Sequence, residues 1–493
     1  SIFSQSVSPD KVITPFAFDK SEKLSSIKVI PPVSPDHSWK EGVIPNDDEF
    51  GEEFDPPSPW AGPDPGLREA TMGSTTAATV HQNFASMFSQ WVGGGRWGVP
   101  DPSGDVGPNH YMHMVNASFQ IFDKYGNTLY GPVNCSTLWD GFDGPWTGTN
   151  DGFPIVLYDE YADRWIASQR ALPFEDGPFY ELIAVSQTGD PTGAWYRYAY
   201  EFENSPNEPK FGVWQDGYYF TMGSRVCVVD RTAMIAGDPI AQLIMFTTSY
   251  SGLLPSDADG ATMPPEGSPA KIMRLDADSL MMWEVDVDWE IPSNSSMTNT
   301  TSLYIDPYSL IYQIPQPGTT TLLNTYHNIK YRLQYRNFGT HEVLLTCHTV
   351  NCNWRAGIRW YEIRNTGNGW NIYQQGTFAP ADDDSRWMGS MARKGKGHIA
   401  IGYSVSSSST YPSIRIAGQT PANSGSGILD VHETSIFEGY ASHTSWTGWG
   451  HISMMAVDPG DDETFWYTNE YSKDGFDWGT PVSYTHLRAN ETV

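Results

Sequence analysis

Positive charge is scarce in this 493-residue chain: 29 Lys and Arg stand against 58 Asp and Glu, for a formal net charge of −29. That balance excludes nucleic acid and anionic membrane surfaces as partners, because both need a basic footprint. No run of 18 apolar residues occurs, so no transmembrane segment is expected. Cysteine is rare, with four in all, and the even count is compatible with export. Helix-period runs are scarce too, and the best of them, around Gln82–Gln90, is short. The chain has no P-loop, H-E-x-x-H or G-x-S-x-G. Gly93–Gly98 matches G-x-G-x-x-G, but no βαβ unit surrounds it, so it reads as a flexible connector.

What the chain does have is repetition. A Trp or Phe, a run of β-formers, an Asp/Gly turn and an aromatic-rich run return with a period of about 60 residues. Four copies are plain: Phe153–Asp159 with Asp163–Trp165, Lys210–Trp214 with Asp216–Tyr219, Arg386–Ser390 with Gly397–Tyr403, and Trp449–Ser453 with Thr464–Tyr467. Weaker copies lie at Lys271–Trp283 and Tyr331–Leu345, and Asp105–Asn116 stands upstream. With 14% aromatic residues, 46 Gly and 36 Pro, the composition suits a turn-rich β fold. The expectation is an all-β protein, a β-propeller of seven blades with six as the alternative, preceded by an extended N-terminal arm.

Four stretches follow. Residues 1–75 are acidic and Pro-rich and form no core of their own, so they read as an arm laid along the ring through Phe16, Phe18, Trp39 and Trp60. Residues 76–100 read as a connector and 101–480 as the propeller. Pro481–Val493 resembles a translated sequencing adapter and reads as a non-native tail. Ser1 reads as a mature N-terminus left after signal removal. Within the ring, Asp123–Asn127, Lys394–Gly397 and Asp458–Asp462 are turns, and Leu253–Pro269 is expected to project as a loop.

Residues at the starts of innermost propeller strands converge on the central channel. They nominate Asp105, Asn109, His110, Asp151, Lys210, Arg386 and Trp449 as ligand-binding residues. Asp257, Asp259 and Glu266 fall at EF-hand-like spacings, although Pro255 stands where the first ligand belongs, and they are the expected Ca2+ ligands. Cys347 and Cys352 are expected to close a tight loop as a disulfide, while Cys135 and Cys227 form either a long-range bridge or two buried thiols.

The motifs Pro102–Tyr111, Asn150–Pro154, Gly189–Gly193, Pro209–Trp214, Leu254–Gly260, Ile314–Thr319, Arg336–Gly339, Tyr411–Arg415 and Asp458–Glu470 occur in order across 101–480. In them the chain resembles a widespread family of secreted, largely uncharacterised bacterial β-propellers, some loosely described as sialidase-like. The resemblance implies an extracellular location and a glycan or surface polymer as partner. Sialidases use an arginine cluster, and Arg170, Arg225, Arg274, Arg332, Arg386 and Arg415 are available, but no spacing brings three together. The leading expectation is a secreted module that recognises glycans. The alternatives are a polysaccharide-active enzyme, lyase or sialidase-like glycosidase, and a structural or adhesive component of an extracellular assembly. Whether the protein is catalytic is left open by the sequence.

Overall fold

The computed structural model describes residues 6–30, 60–69, 78–88, 99–444, 447–475 and 477–487. Among these, the strand pairings resolve into six four-stranded antiparallel meanders and a seventh sheet closed by an N-terminal strand, the blades of a β-propeller. Blade 1 comprises Ser103–Val106, His110–Val115, Ser118–Asp123 and Thr128–Asn134. The innermost strands of blades 2 to 7 are Ile155–Asp159, Lys210–Val213, Leu254–Asp259, Leu333–Asn337, Ser385–Arg393 and Met454–Val457. Each touches the next in this order and the last touches the first, so the ring closes.

Blades 4 and 5 are joined by a parallel pairing of Ser256–Asp259 with Leu333–Arg336. Elsewhere the twist of each blade splays neighbouring innermost strands apart, and side chains bridge the seams. Ser103 Oγ accepts from Val156 N at 3.1 Å, and Asp105 Oδ2 from Tyr158 N at 2.8 Å. Asp257 Oδ1 accepts from Val213 N at 2.9 Å, and Gln334 Oε1 from Arg393 N at 2.6 Å. This polar stitching explains a correction. Leu254–Asp259, expected within a projecting loop, is the buried innermost strand of blade 4. Its Ser and Asp residues are served by neighbouring chain rather than by water. Between blades the filling is aromatic, and Trp165, Trp195, Trp214, Trp360, Trp387, Trp449, Trp466 and Trp478 are fully buried.

The N-terminal arm lines the outer edges of the ring. Ser6–Val7 pairs with blade 4, Lys11–Ile13 with blade 3 and Ala17–Lys20 with blade 2. Phe16 packs edge-on against Trp146 and Tyr180, and Phe18 packs against Tyr196 and Tyr198. Unpaired strand edges are templates for aggregation, and the arm covers these three. Leu67–Glu69 adds to blade 5. Trp60 is exposed and donates Nε1–H to Pro63 O, while Trp39 lies outside the described residues, as does Gly93–Gly98.

Thr79–Phe88, the region of the helix-period run, is instead the outermost strand of blade 7, antiparallel to Trp478–His486. Strand period governs it: Phe84 meets Phe122 and Trp466, and two residues on, Ser86 Oγ meets His113 Nδ1 at 2.6 Å. The N-terminal segment thus completes the C-terminal blade. Trp478–His486 crosses the boundary at 480 and pairs with Phe465–Thr468 as well.

The expected Cys347–Cys352 disulfide does not form, and all four cysteines are buried free thiols. Both residues lie on the single strand Glu342–Cys352. An odd separation puts them on opposite faces, roughly 16 Å apart along the strand. Cys347 Sγ donates to Gly389 O at 3.3 Å, and Cys352 Sγ to Asp64 Oδ2 at 3.4 Å.

Candidate functional site

The innermost strands run in one direction around the ring, which gives the channel a start mouth and an end mouth. At the start mouth the chain turns sharply into the strands. Asp101, Phe153, Glu208 and Gly252 stand two residues before the innermost strands of blades 1 to 4, with φ of 42°, 48°, 46° and 68°. For the three that carry side chains this left-handed backbone costs on the order of 1–3 kcal/mol each. Asn116 holds two of them: its Nδ2 donates to Asp101 Oδ2 at 2.8 Å and its Oδ1 accepts from Phe153 N at 2.7 Å.

This strained backbone aims a polar cluster inward. His451 Nε2 lies 3.2 Å from Glu208 Oε2, and its Nδ1 3.9 Å from Asp101 Oδ1. Lys210 Nζ lies 3.7 Å from Glu208 Oε2. The ring of Tyr326 sits 4.5 Å from that of His451, with Lys330 Nζ 5.4 Å over the phenol ring. Glu470 accepts from Gly450 N. Arg170 is fully buried, donating to Asp151 O at 2.8 Å and to Asn207 Oδ1 at 3.0 Å. Five blades or their connections contribute to this one place.

The electrostatics separate the ionisable groups. Burial alone would raise the Glu208 carboxyl, but His451, Lys210 and Lys330 outweigh it and bring it down to about 2. Burial would lower His451, yet Glu208 and Asp101 raise it above the usual imidazole value. Glu470 is pushed well up by burial, against the Gly450 amide and with help from Asp101. A carboxyl held low, an imidazole held high and a second carboxyl pushed well up therefore stand together, the kind of divergence on which acid–base chemistry rests. Lys210, Lys330 and His451 gather around Glu208 and Asp101 at this mouth, a concentration of basic side chains on a protein of net charge −29.

The turns between second and third strands and the connections between blades also lie on the start face. They carry large exposed aromatics: Phe174, Tyr304, Tyr312, Trp354, Tyr411 and Tyr440. Trp354 is 90% exposed at the tip of the hairpin between Glu342–Cys352 and Arg355–Asn365.

Between the mouths, Arg332 plugs the channel. Its Nε donates to Asp257 Oδ2 at 2.5 Å and its Nη1 to Asp259 Oδ2 at 2.7 Å, and Gln334 Nε2 adds a third bond to Asp259 at 2.7 Å. The residues expected to bind calcium are not brought together by the fold. Asp257 and Asp259 already hold a guanidinium where a cation would sit, and Glu266 is exposed on the following loop. The residues do not fit the ion, and no group of three metal-ligating side chains occurs among the described residues.

The residues nominated from sequence divide among several places. Asp151, Lys210 and Trp449 lie at the start mouth, although Trp449 is buried against His443. Asp105 lies within the channel, where burial raises it to about 7 against the pull of Arg332. Asn109 is exposed at the end mouth, and His110 beside it is 3.8 Å from Asp190. Arg386 points along blade 6 to Asp382 and Glu433, away from the channel. Glu208 and His451 escaped nomination although each is within two residues of a nominated one. The signal available was their place at the strand starts.

No family model and no curated protein matches the chain. Among solved structures it is similar to the endo-arabinase from Bacteroides thetaiotaomicron VPI-5482, at 10% identity and a TM-score of 0.27, covering 69% of this chain and 94% of that one. It is similar to an α-L-arabinofuranosidase from Fusarium graminearum at 10% identity and a TM-score of 0.32, covering 85% and 99%. The WD40 domain of SCAP from fission yeast follows at 9% and 0.33, covering 79% and 82%. Likeness this loose carries no argument about substrate or residues, and the propeller assignment rests on the strand pairings themselves.

Proposed function

We propose that this propeller acts on anionic polysaccharides at its start mouth, by acid–base chemistry centred on His451 and Glu208. The observation that carries the reading is the His451–Glu208 pair, 3.2 Å apart, set among Lys210, Lys330 and Glu470, whose carboxyl burial pushes well up. A concentration of basic side chains on an acidic protein focuses an anionic chain, and the lysines would neutralise a uronate carboxylate. His451 then holds the transferable proton and Glu208 fixes its orientation. The exposed aromatics around that face suit sugar rings, whose apolar faces stack on Tyr and Trp. An extracellular setting is part of the proposal, since polysaccharides of this kind are met outside the cell.

The test is product release from uronate-containing polysaccharides, with neutral polysaccharides as controls. His451→Gln is expected to lower turnover on the order of 10²-fold or more. Lys210→Ala is expected to act mainly on KM. A second reading, recognition without cleavage, draws on the same aromatic face; retention of uronate polymers with no product from the unaltered protein would establish it and remove the catalytic assignment.

A further inference from the structure

The end mouth contains a cavity that the reading above does not use. It measures about 430 Å3 and is walled by the loops that follow the innermost strands of blades 1, 2, 4 and 7. That volume lies within the range of small-molecule sites. Three carboxyl groups face it: Glu160, Asp458 and Asp462. Two are already matched. Asp458 is held by Lys124 and by Trp466 Nε1 at 3.1 Å. Asp462 takes a bidentate pair from Arg336 at 2.7 and 2.9 Å. Glu160 has no such cation. One of its oxygens accepts from Gly260 N at 3.0 Å, and the other has no partner among the described residues. Tyr158 and Tyr161 supply the aromatic wall.

We propose that this cavity is a second ligand site, for a sugar bearing a primary ammonium group, with Glu160 as the carboxyl that receives the ammonium. An anionic ligand would meet the Glu160 carboxyl, the one of the three with no cation of its own. A bare metal ion is disfavoured because the described residues bring no three ligating side chains together. A primary ammonium supplies the missing counter-charge and three donors, and the Tyr158 and Tyr161 lining offers an aromatic wall for the body of a sugar. The groups facing Glu160 set the proton balance. Burial, Asp259 and Asp105 favour its neutral form, while Arg336 and the Gly260 amide oppose them. Tyr161 alongside is itself raised by burial and by Glu160 and stays protonated. Docking of an ammonium group adds a cation to this balance and favours the ionised form of Glu160, so binding is expected to be linked to proton release.

Calorimetry with glucosamine in buffers of differing ionisation enthalpy tests this on the whole chain. Glucosamine is expected to bind with proton release, and N-acetylglucosamine, which lacks the charge, at least tenfold more weakly. Glu160→Gln keeps the acceptor for Gly260 N and so keeps the local fold; it should weaken glucosamine at least tenfold and abolish the proton release. Tyr161→Ala, at the cavity wall, should weaken glucosamine more than putrescine. Putrescine matching glucosamine on the unaltered protein would retain Glu160 as the ammonium site but overturn the sugar. Equal binding of glucosamine and N-acetylglucosamine, or glucosamine unaffected by Glu160→Gln, would overturn the proposal, and no binding of either amine would do the same.

Discussion

Removing the Arg332 guanidinium should be among the most damaging single changes to this ring. Arg332, Asp257 and Asp259 have side-chain exposures of 2%, 2% and 8%, so water cannot compensate the carboxylates once the arginine is gone. Breaking a buried pair by deleting one partner typically costs about 3–5 kcal/mol. Asp105 adds to the penalty, because Arg332 is the main group that lowers its pKa from within the channel. An unfolding entropy of about 2.1 cal/mol/K per residue gives roughly 1 kcal/mol/K for this chain, so Arg332→Met should lower Tm by about 3–5 °C. Asp257→Asn and Asp259→Asn in the Arg332→Met background should restore much of that loss by discharging the two groups. The sign with pH is fixed. Burial already raises Asp257 to about 6 against the pull of Arg332, so without Arg332 it titrates higher still in the folded state than when unfolded, and the mutant's deficit should shrink as pH falls and it protonates. Scanning calorimetry of the three proteins at pH 5 and pH 7.5 reads this out. A deficit below about 1 kcal/mol, or one independent of pH, would refute the idea that the clasp is a desolvated ion cluster.

Other outcomes follow from the same packing. His113, buried between Ser86 and Thr468, is lowered by burial to about 3 in the folded protein. A lowered imidazole contributes stability that is present above pH 6.5 and is lost as pH falls toward 3, on the order of 5 kcal/mol in full. Asp105 opposes it: with a folded value raised to about 7, its contribution is full below pH 3.8 and fades as pH rises through 7. Denaturant midpoints from pH 4 to 7 should therefore become less acid-sensitive in His113→Gln, and an unchanged slope would count against the assignment. Thiol titration without reductant should find no reactive cysteine in the folded protein and four after denaturation, because all four are buried and unbridged. Two titratable thiols in denaturant would reinstate a disulfide.

How much of this was legible beforehand depends on the range of the interaction. The repeat is local: each unit carries its own turn chemistry and alternating β-formers, so the innermost strands at Ser103, Ile155, Lys210, Leu333, Ser385 and Met454 fall on or beside the copies read from sequence. Blade 4 was the exception, since Asp257 and Asp259 look like loop residues until Arg332, more than 70 positions away, is seen to serve them. The cysteines failed for a related reason. Spacing suggested a loop, and the pairing of Cys347 with Trp360 and Cys352 with Arg355 made it a strand.

The sequence by itself determined that the protein is an array of β units with an acidic surface and no helical membrane span, because period, composition and charge need no knowledge of neighbours. The tertiary structure decided the rest. Ring closure set Glu208 from blade 3 against His451 before blade 7, although some 240 residues lie between them. It placed Asn109 and His110 at the opposite mouth from Asp151 and Lys210, since turns at the two ends of an innermost strand open on different faces. It also brought Thr79–Phe88 across to complete the last blade. Proximity of this kind comes from the path of the chain around the channel, and no local pattern of residues encodes that path.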